Sequence, residues 1–232
     1  MSNLPKHLAQ DSATGFAHNE PVSQYEIGSY RNFVYLIVDW KMRLAAIVDP
    51  QEDLSEILRD LKENQIQLKE ILLTHTHHDH IAGVPELLST FSELKVTVHA
   101  QDQHRLNEGK IPQNRIKNIR DGEIIELGET RLKALHTPGH SAGELCYFLT
   151  DPQPYLLTGD TVFIRDCGRT DLGTGSNSEM FHSIQKIKTL PQETIFLPGH
   201  HYQKECATTL MRELRESPPF GCTSVEELAA LP

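Results

Sequence analysis

The chain has 232 residues, 38% of them hydrophobic, and its 22 Lys and Arg against 32 Asp and Glu give a formal net charge of −10. That apolar content can fill a core, which excludes a wholly disordered chain. The acidic balance excludes broad binding to nucleic acid or anionic membranes, which needs clustered Lys and Arg.

Residues 1–20 are polar and read as a loose leader on a single domain spanning 1–232. They contain no apolar signal core, and no later apolar run approaches the roughly 20 residues of a membrane span. Cys146, Cys167, Cys206 and Cys222 are scattered without a CxxC pair, which fits a reducing, cytoplasmic setting. Phe33–Val38 and Leu44–Val48 are apolar, β-branched runs around a turn-like segment, and predict a hairpin ending at Asp49-Pro50. Between Asp53 and Asn64, Leu54, Ile57, Leu58 and Leu61 recur at helical spacing. Ile71-Leu72-Leu73 is a short buried strand that runs into Thr74-His75-Thr76-His77-His78-Asp79-His80.

Further on, Lys95–Val98 predicts a strand, and Glu123–Leu127 with Arg131–Leu135 a hairpin around Gly128. Leu145–Leu149 and Tyr155–Thr158 are strands separated by the breaker Asp151-Pro152-Gln153-Pro154. A helix over Ser178–Leu190, a strand over Thr194–Leu197 and a closing helix over Lys204–Glu216 complete the pattern, with residues 203–232 as C-terminal helix and tail. Strands interleaved with helices predict a layered α/β fold.

Thirteen histidines in an acidic chain have no packing rationale, and their placement carries the chemistry. The His75–His80 segment sets four histidines and a carboxylate just after a buried strand. Imidazole and carboxylate suit zinc and iron, and a strand end is a rigid base for them. His75 and His77, two apart, point to one side of an extended backbone. Asp79 and His80 face differently and can address a second metal or a substrate water. Thr137-Pro138-Gly139-His140, Leu157-Thr158-Gly159-Asp160 and Leu197-Pro198-Gly199-His200 repeat one grammar. In each, an apolar stretch enters a glycine turn followed by a potential ligand. His78, His99, His104, His136, His182 and His201 read as solvated or hydrogen-bonded histidines, His201 being the least secure because it follows His200.

The series THTHHDH, TPGH, TGD and PGH resembles the metallo-β-lactamase-fold superfamily from Ser29 to about Tyr202. The resemblance implies a four-layer αββα sandwich with a metal site at one edge between two sheets. It also implies His75, His77 and His140 as one ligand set, Asp79, His80 and His200 as a second, and Asp160 as the bridging carboxylate. Asp79 and Asp160 would then be catalytic as well as ligating.

The run Cys167-Gly168-Arg169-Thr170-Asp171 after Asp160 is similar to persulfide dioxygenases of this superfamily. That resemblance implies one Fe(II) on His75, His140 and Asp160, a face with open positions for O2 and for glutathione persulfide. Asp79, His80 and His200 would then orient water or the ligands. The alternative is a glyoxalase II-like hydrolase that cleaves a thioester such as S-D-lactoylglutathione with one or two Zn(II) ions. In persulfide dioxygenases an Arg near the end of the last helix binds the glutathione carboxylate, and here that position is Pro219. Arg169 reads equally as a substrate contact and as half of a loop-fixing pair with Asp171. Tyr202 reads equally as a substrate contact and as packing, and Cys167 as a small buried residue. A non-catalytic metal scaffold is disfavoured because a structural zinc site is closed by four ligands. The expected partner is a small thiol-derived substrate, with a homodimer as the one macromolecular assembly considered and neither nucleic acid nor membrane.

Overall fold

The computed structural model describes residues 4–9, 13, 15–109 and 111–232. The first half forms β1 (Val22–Ile27), β2 (Asn32–Asp39), β3 (Leu44–Val48), α1 (Ser55–Glu63), β4 (Gln67–Leu72), α2 (His78–Ile81), α3 (Val84–Thr90), β5 (Val96–His99), α4 (His104–Glu108) and β6 (Ile116–Ile119). These strands make one six-stranded sheet in chain order, antiparallel as far as β3 and parallel from there to β6. The second half forms β7 (Ile124–Leu127), β8 (Thr130–His136), β9 (Leu145–Leu149), β10 (Tyr155–Gly159), β11 (Val162–Phe163), β12 (Asp166–Cys167), α5 (Asn177–Ile187), β13 (Ile195–Pro198), β14 (Thr208–Thr209), α6 (Leu210–Glu216), α7 (Pro218–Gly221) and α8 (Val225–Ala229). Its six-stranded sheet runs β14-β13-β10-β9-β8-β7, with β11 and β12 as a separate small hairpin.

The period-2 pattern of the strands builds the layers. In β2, Phe33, Tyr35 and Ile37 enter the core between the sheets, while Val34, Leu36 and Val38 face the helices. Across the inner core stand Leu145, Tyr147 and Leu149 of β9 and Tyr155 and Leu157 of β10. The outer face of the first sheet is covered by Ile57 and Leu61 of α1 and by Val84 and Leu87 of α3. The outer face of the second is covered by Met180, Ile184 and Ile187 of α5, with Leu210, Phe220 and Leu228 from α6, α7 and α8. This is a four-layer αββα sandwich, the metallo-β-lactamase fold. Each fully buried aromatic or aliphatic side chain in these layers contributes about 1.5–3 kcal/mol.

Two expectations need correction. Residues 1–20 are not a loose leader throughout, because Leu8 is buried in the inner core and Gly15 pairs with Gln24. Residues 1–3, 10–12 and 14 of that segment lie outside the described ones. The closing helix does not start at Lys204. Cys206 and Ala207 are buried, Thr208–Thr209 pair with β13, and Thr209 caps α6 by accepting the Arg212 N–H. Beyond α6 the tail is ordered as α7 and α8 against the second sheet. Strand β1 escaped the sequence pattern because Ser23 and Gln24 are buried polar residues. The Gln24 amide nitrogen donates to Tyr35 Oη and to the Cys206 carbonyl, which satisfies its buried N–H groups.

Candidate metal centre

Each ligand-bearing turn leaves the end of a core strand. His75 follows β4, His140 follows β8, Asp160 follows β10 and His200 follows β13. Backbone bonds lock the two sheets together here. Thr74 O accepts the Leu145 N–H at 2.8 Å, and Gly199 O accepts the Phe33 N–H at 2.8 Å. The glycines of these turns do different work. Gly159 takes φ +50°, where a Cβ would also press into Thr74 and Glu144. Gly199 is needed for close approach, since a Cβ there would sit 2.3 Å from Asp160 Oδ1.

The structure brings all seven candidate ligands together. His75, His77 and His140 form one group, and Asp79, His80 and His200 a second, with the ligand atoms of each within 4.8 Å of one another. Asp160 lies between them. Its Oδ2 is 3.6 Å from His140 Nε2 and 3.3 Å from His200 Nε2, and its Oδ1 is 3.5 Å from His80 Nε2.

The hydrogen bonds behind the rings fix their tautomers. His140 Nδ1 donates to the Arg169 carbonyl at 2.8 Å and His200 Nδ1 to the Tyr30 carbonyl at 2.9 Å. His80 Nδ1 donates to Asp49 Oδ2 at 3.0 Å. Each ring in its neutral form then turns an Nε2 lone pair inward. His80 Nε2 and His200 Nε2 face each other at 3.2 Å, and His140 Nε2 faces His77 Nδ1 at 2.8 Å. His75 Nε2 and Asp160 Oδ1 are buried without any hydrogen-bond partner. Converging lone pairs and orphaned buried acceptors are costly unless a cation sits among them, so this donor set fits divalent metal.

The electrostatics divide the rings: His75 and His77 are held neutral, whereas His80 is charged when only the surrounding carboxylates face it. Burial, with His80 next, holds His75 well below its ordinary range, and burial with His140 holds His77 down at about 4. Both rings are therefore neutral at pH 7. Burial opposes charge on His80, but the carboxylates of Asp160, Asp49 and Asp79 outweigh it and hold the imidazole up at about 9. Burial likewise opposes charge on Asp160, yet His80 and His200 keep that carboxyl well below the usual range.

The two substrate candidates are placed differently. The Arg169 guanidinium makes a bidentate pair with Asp171 at 2.7 and 2.8 Å, so its side chain is already neutralised. The Tyr202 ring stacks on the His200 ring at 4.7 Å between centroids and is 55% exposed. Of the unassigned histidines, His78 is exposed, His99 and His136 stack on each other, and His182 Nδ1 bonds the Ser178 carbonyl. His201 is buried against Glu26 and Arg31 rather than facing the ligand cluster.

Sequence reasoning missed Asp49, Glu144 and Asn32. Asp49 accepts the Thr74 N–H, the Thr74 hydroxyl and His80 Nδ1. Glu144 is fully buried, accepts the Asp160 N–H at 2.9 Å and lies 3.4 Å from His75 Nδ1. Asn32 donates to Asp79 Oδ2 at 3.0 Å. Asp49, at a strand end beside His80 in space, carried a faint signal, whereas Glu144 and Asn32 carried none.

The Metallo-beta-lactamase superfamily model matches residues 30–200. The chain is 37% identical over 180 residues to the probable polyketide biosynthesis zinc-dependent hydrolase PksB of Bacillus subtilis (strain 168), a match covering 75% of each chain. It is 37% identical over 171 residues to the hydroxyacylglutathione hydrolase of Enterobacter sp. (strain 638), covering 74% of this chain and 62% of that protein. The chain thus spans less than two thirds of that hydrolase's length. Among solved structures, ETHE1 from Myxococcus xanthus superposes with a TM-score of 0.79 at 28% identity, covering 91% of this chain and 92% of that one.

Proposed function

Because the chain belongs to the metallo-beta-lactamase superfamily, we propose that it is a metal-dependent hydrolase that cleaves thioesters of a small thiol at a pair of zinc ions. The observation that carries this reading is Asp160, whose carboxylate lies within 3.6 Å of His140 on one side and 3.5 Å of His80 on the other. His75, His77 and His140 would hold one ion, Asp79, His80 and His200 the other, and Asp160 would reach both. When bound, such a pair supplies Lewis acidity toward the thioester carbonyl and brings the pKa of a bound water toward neutrality.

The chain's own residues then position the reactants. Asp79 is kept ionised because His80 and the Asn32 amide outweigh its burial. With Asp160 it offers carboxylate oxygens that accept hydrogen bonds from the attacking water and orient it. The exposed Tyr202 ring, flat on His200, offers the substrate an apolar face beside the centre. Arg169, through its carbonyl, fixes the ring of His140, and Asp171 holds its side chain in place. The names of the Bacillus and Enterobacter relatives support zinc and a glutathione thioester, respectively.

A second reading is the mononuclear Fe(II) persulfide dioxygenase, favoured by the similarity to ETHE1 over 91% of the chain and by the Cys167–Asp171 run. Metal analysis with paired assays separates the two. The hydrolase reading expects two zinc ions per chain, hydrolysis of S-D-lactoylglutathione and no O2 uptake with glutathione persulfide. One iron per chain, persulfide-dependent O2 uptake and no thioester cleavage would overturn it in favour of the dioxygenase.

A further inference from the structure

Most guanidiniums around the metal centre are spoken for. Arg31 pairs with Glu26 at 2.7 Å, Arg169 with Asp171 and Arg165 with Glu205 at 2.8 Å. Arg105, on α4, differs. It is half-buried, and no described carboxylate lies within ion-pair distance of it. With His77 it lines a cavity of about 50 Å³, together with Thr76, Ser141 and Thr174.

The one carboxylate that lines the same cavity, Asp102, is committed elsewhere. Its Oδ1 accepts the Gly143 N–H at 2.8 Å and its Oδ2 accepts the Ser141 hydroxyl at 2.6 Å. A partly desolvated guanidinium without an anion is an unpaid cost in the free protein, and an incoming carboxylate would remove it. The cavity is small, and the flat fork of Arg matches a carboxylate in two parallel hydrogen bonds. At the other candidate ligand group, the exposed Tyr202 ring stacks on His200.

We propose that Arg105 is a specificity-determining residue that binds a carboxylate carried by the substrate a few bonds from its reacting sulfur. This rests on the metal-hydrolase reading for the presence of the zinc ions, but its test does not depend on turnover. Zinc-loaded protein is titrated with 3-mercaptopropionate and with its neutral amide, 3-mercaptopropionamide, by calorimetry. Both ligands offer the same sulfur to the metal, so their difference reports the carboxylate. The acid is expected to bind about tenfold more tightly than the amide, as one charge-assisted contact allows, and the gap should narrow with added salt. Arg105→Gln should retain the zinc content and close the gap, while Arg105→Lys should keep part of it. Equal binding of acid and amide by the parent protein, or a gap that survives in Arg105→Gln, overturns the assignment. A chain that takes up no zinc overturns the hydrolase reading first and the assignment with it.

Discussion

Position 199 and Asp160 are in mutual contact in a way that only glycine permits: a Cβ on residue 199 would stand 2.3 Å from Asp160 Oδ1. Residue 199 adjoins His200, and Gly199 N–H donates to the Gly159 carbonyl at 2.8 Å, so two ligand-bearing turns meet at this point. Gly199→Ala must therefore push the Asp160 carboxylate off its position between the two histidine groups. Metal content is expected to fall, and kcat/KM to drop roughly 100-fold or more, since about 1 Å of misplacement at a reacting centre is costly. Elemental analysis and thioester kinetics on the purified variant check this. A fully metallated, fully active Gly199→Ala protein would show that Asp160 does not reach both groups.

Behind His80, Asp49 accepts three hydrogen bonds, from the Thr74 N–H at 2.7 Å, the Thr74 hydroxyl at 2.6 Å and His80 Nδ1 at 3.0 Å. Asp49→Asn keeps the shape but replaces one acceptor oxygen by an NH2 group and removes the charge that supports His80. Loss of such a partner lowers metal affinity by about 10–100-fold. The expected result is earlier release of metal in a titration with a competing chelator. The metal-free fold should be retained, which circular dichroism can verify.

The clustering of the seven candidate ligands is legible because each is announced by local chain: a histidine-rich turn after Ile71-Leu72-Leu73, or a glycine turn after an apolar strand. The layers were legible from period-2 runs such as Phe33–Val38. What supports these residues is not legible, because Glu144 meets Asp160 N through the pairing of β9 with β10, and His75 Nδ1 through the contact of the two sheets at Leu145 and Thr74. A lone Glu before a strand has no sequence signature for that. The start of α6 was misplaced for a related reason. Residues 204–207 have helix-compatible composition, and burial of Cys206 and Ala207 together with the β14 pairing overrides it. Arg169 and Arg105 show the same limit, since the pairing of one and the isolation of the other are tertiary facts.

Tyr202 separates packing from substrate contact. Its ring lies at 7° to His200 and meets Phe163 edge-on at 5.1 Å, yet it remains 55% exposed. If the ring is an apolar platform for substrate, Tyr202→Phe should leave KM within about twofold, whereas Tyr202→Ala should raise it several-fold with kcat changed less. An equal fall in kcat and kcat/KM for Tyr202→Ala would instead assign the ring to holding His200 in place.

The loop that carries Cys167–Asp171 is anchored by an ion pair whose pH response has a definite sign. Arg165, in the turn of the β11–β12 hairpin, donates to Glu205 Oε1 at 3.0 Å and Oε2 at 2.8 Å, and its own N–H donates to Glu213 Oε2 at 2.7 Å. The Arg165 hydrogen bonds hold the Glu205 carboxyl down at about 2, against an ordinary 4.5. A carboxyl depressed in the folded state stabilises above its unfolded pKa, and that contribution is lost as pH falls from 4.5 through 2. Glu205 keeps 28% of its side-chain surface in solvent, which screens the pair and limits its worth to about 1–2 kcal/mol at pH 7. Glu205→Gln should therefore lower the urea midpoint clearly at pH 7, and the difference from the parent protein should shrink by about half at pH 3. A difference that is constant between those two pH values would mean that the bidentate contact contributes packing rather than charge.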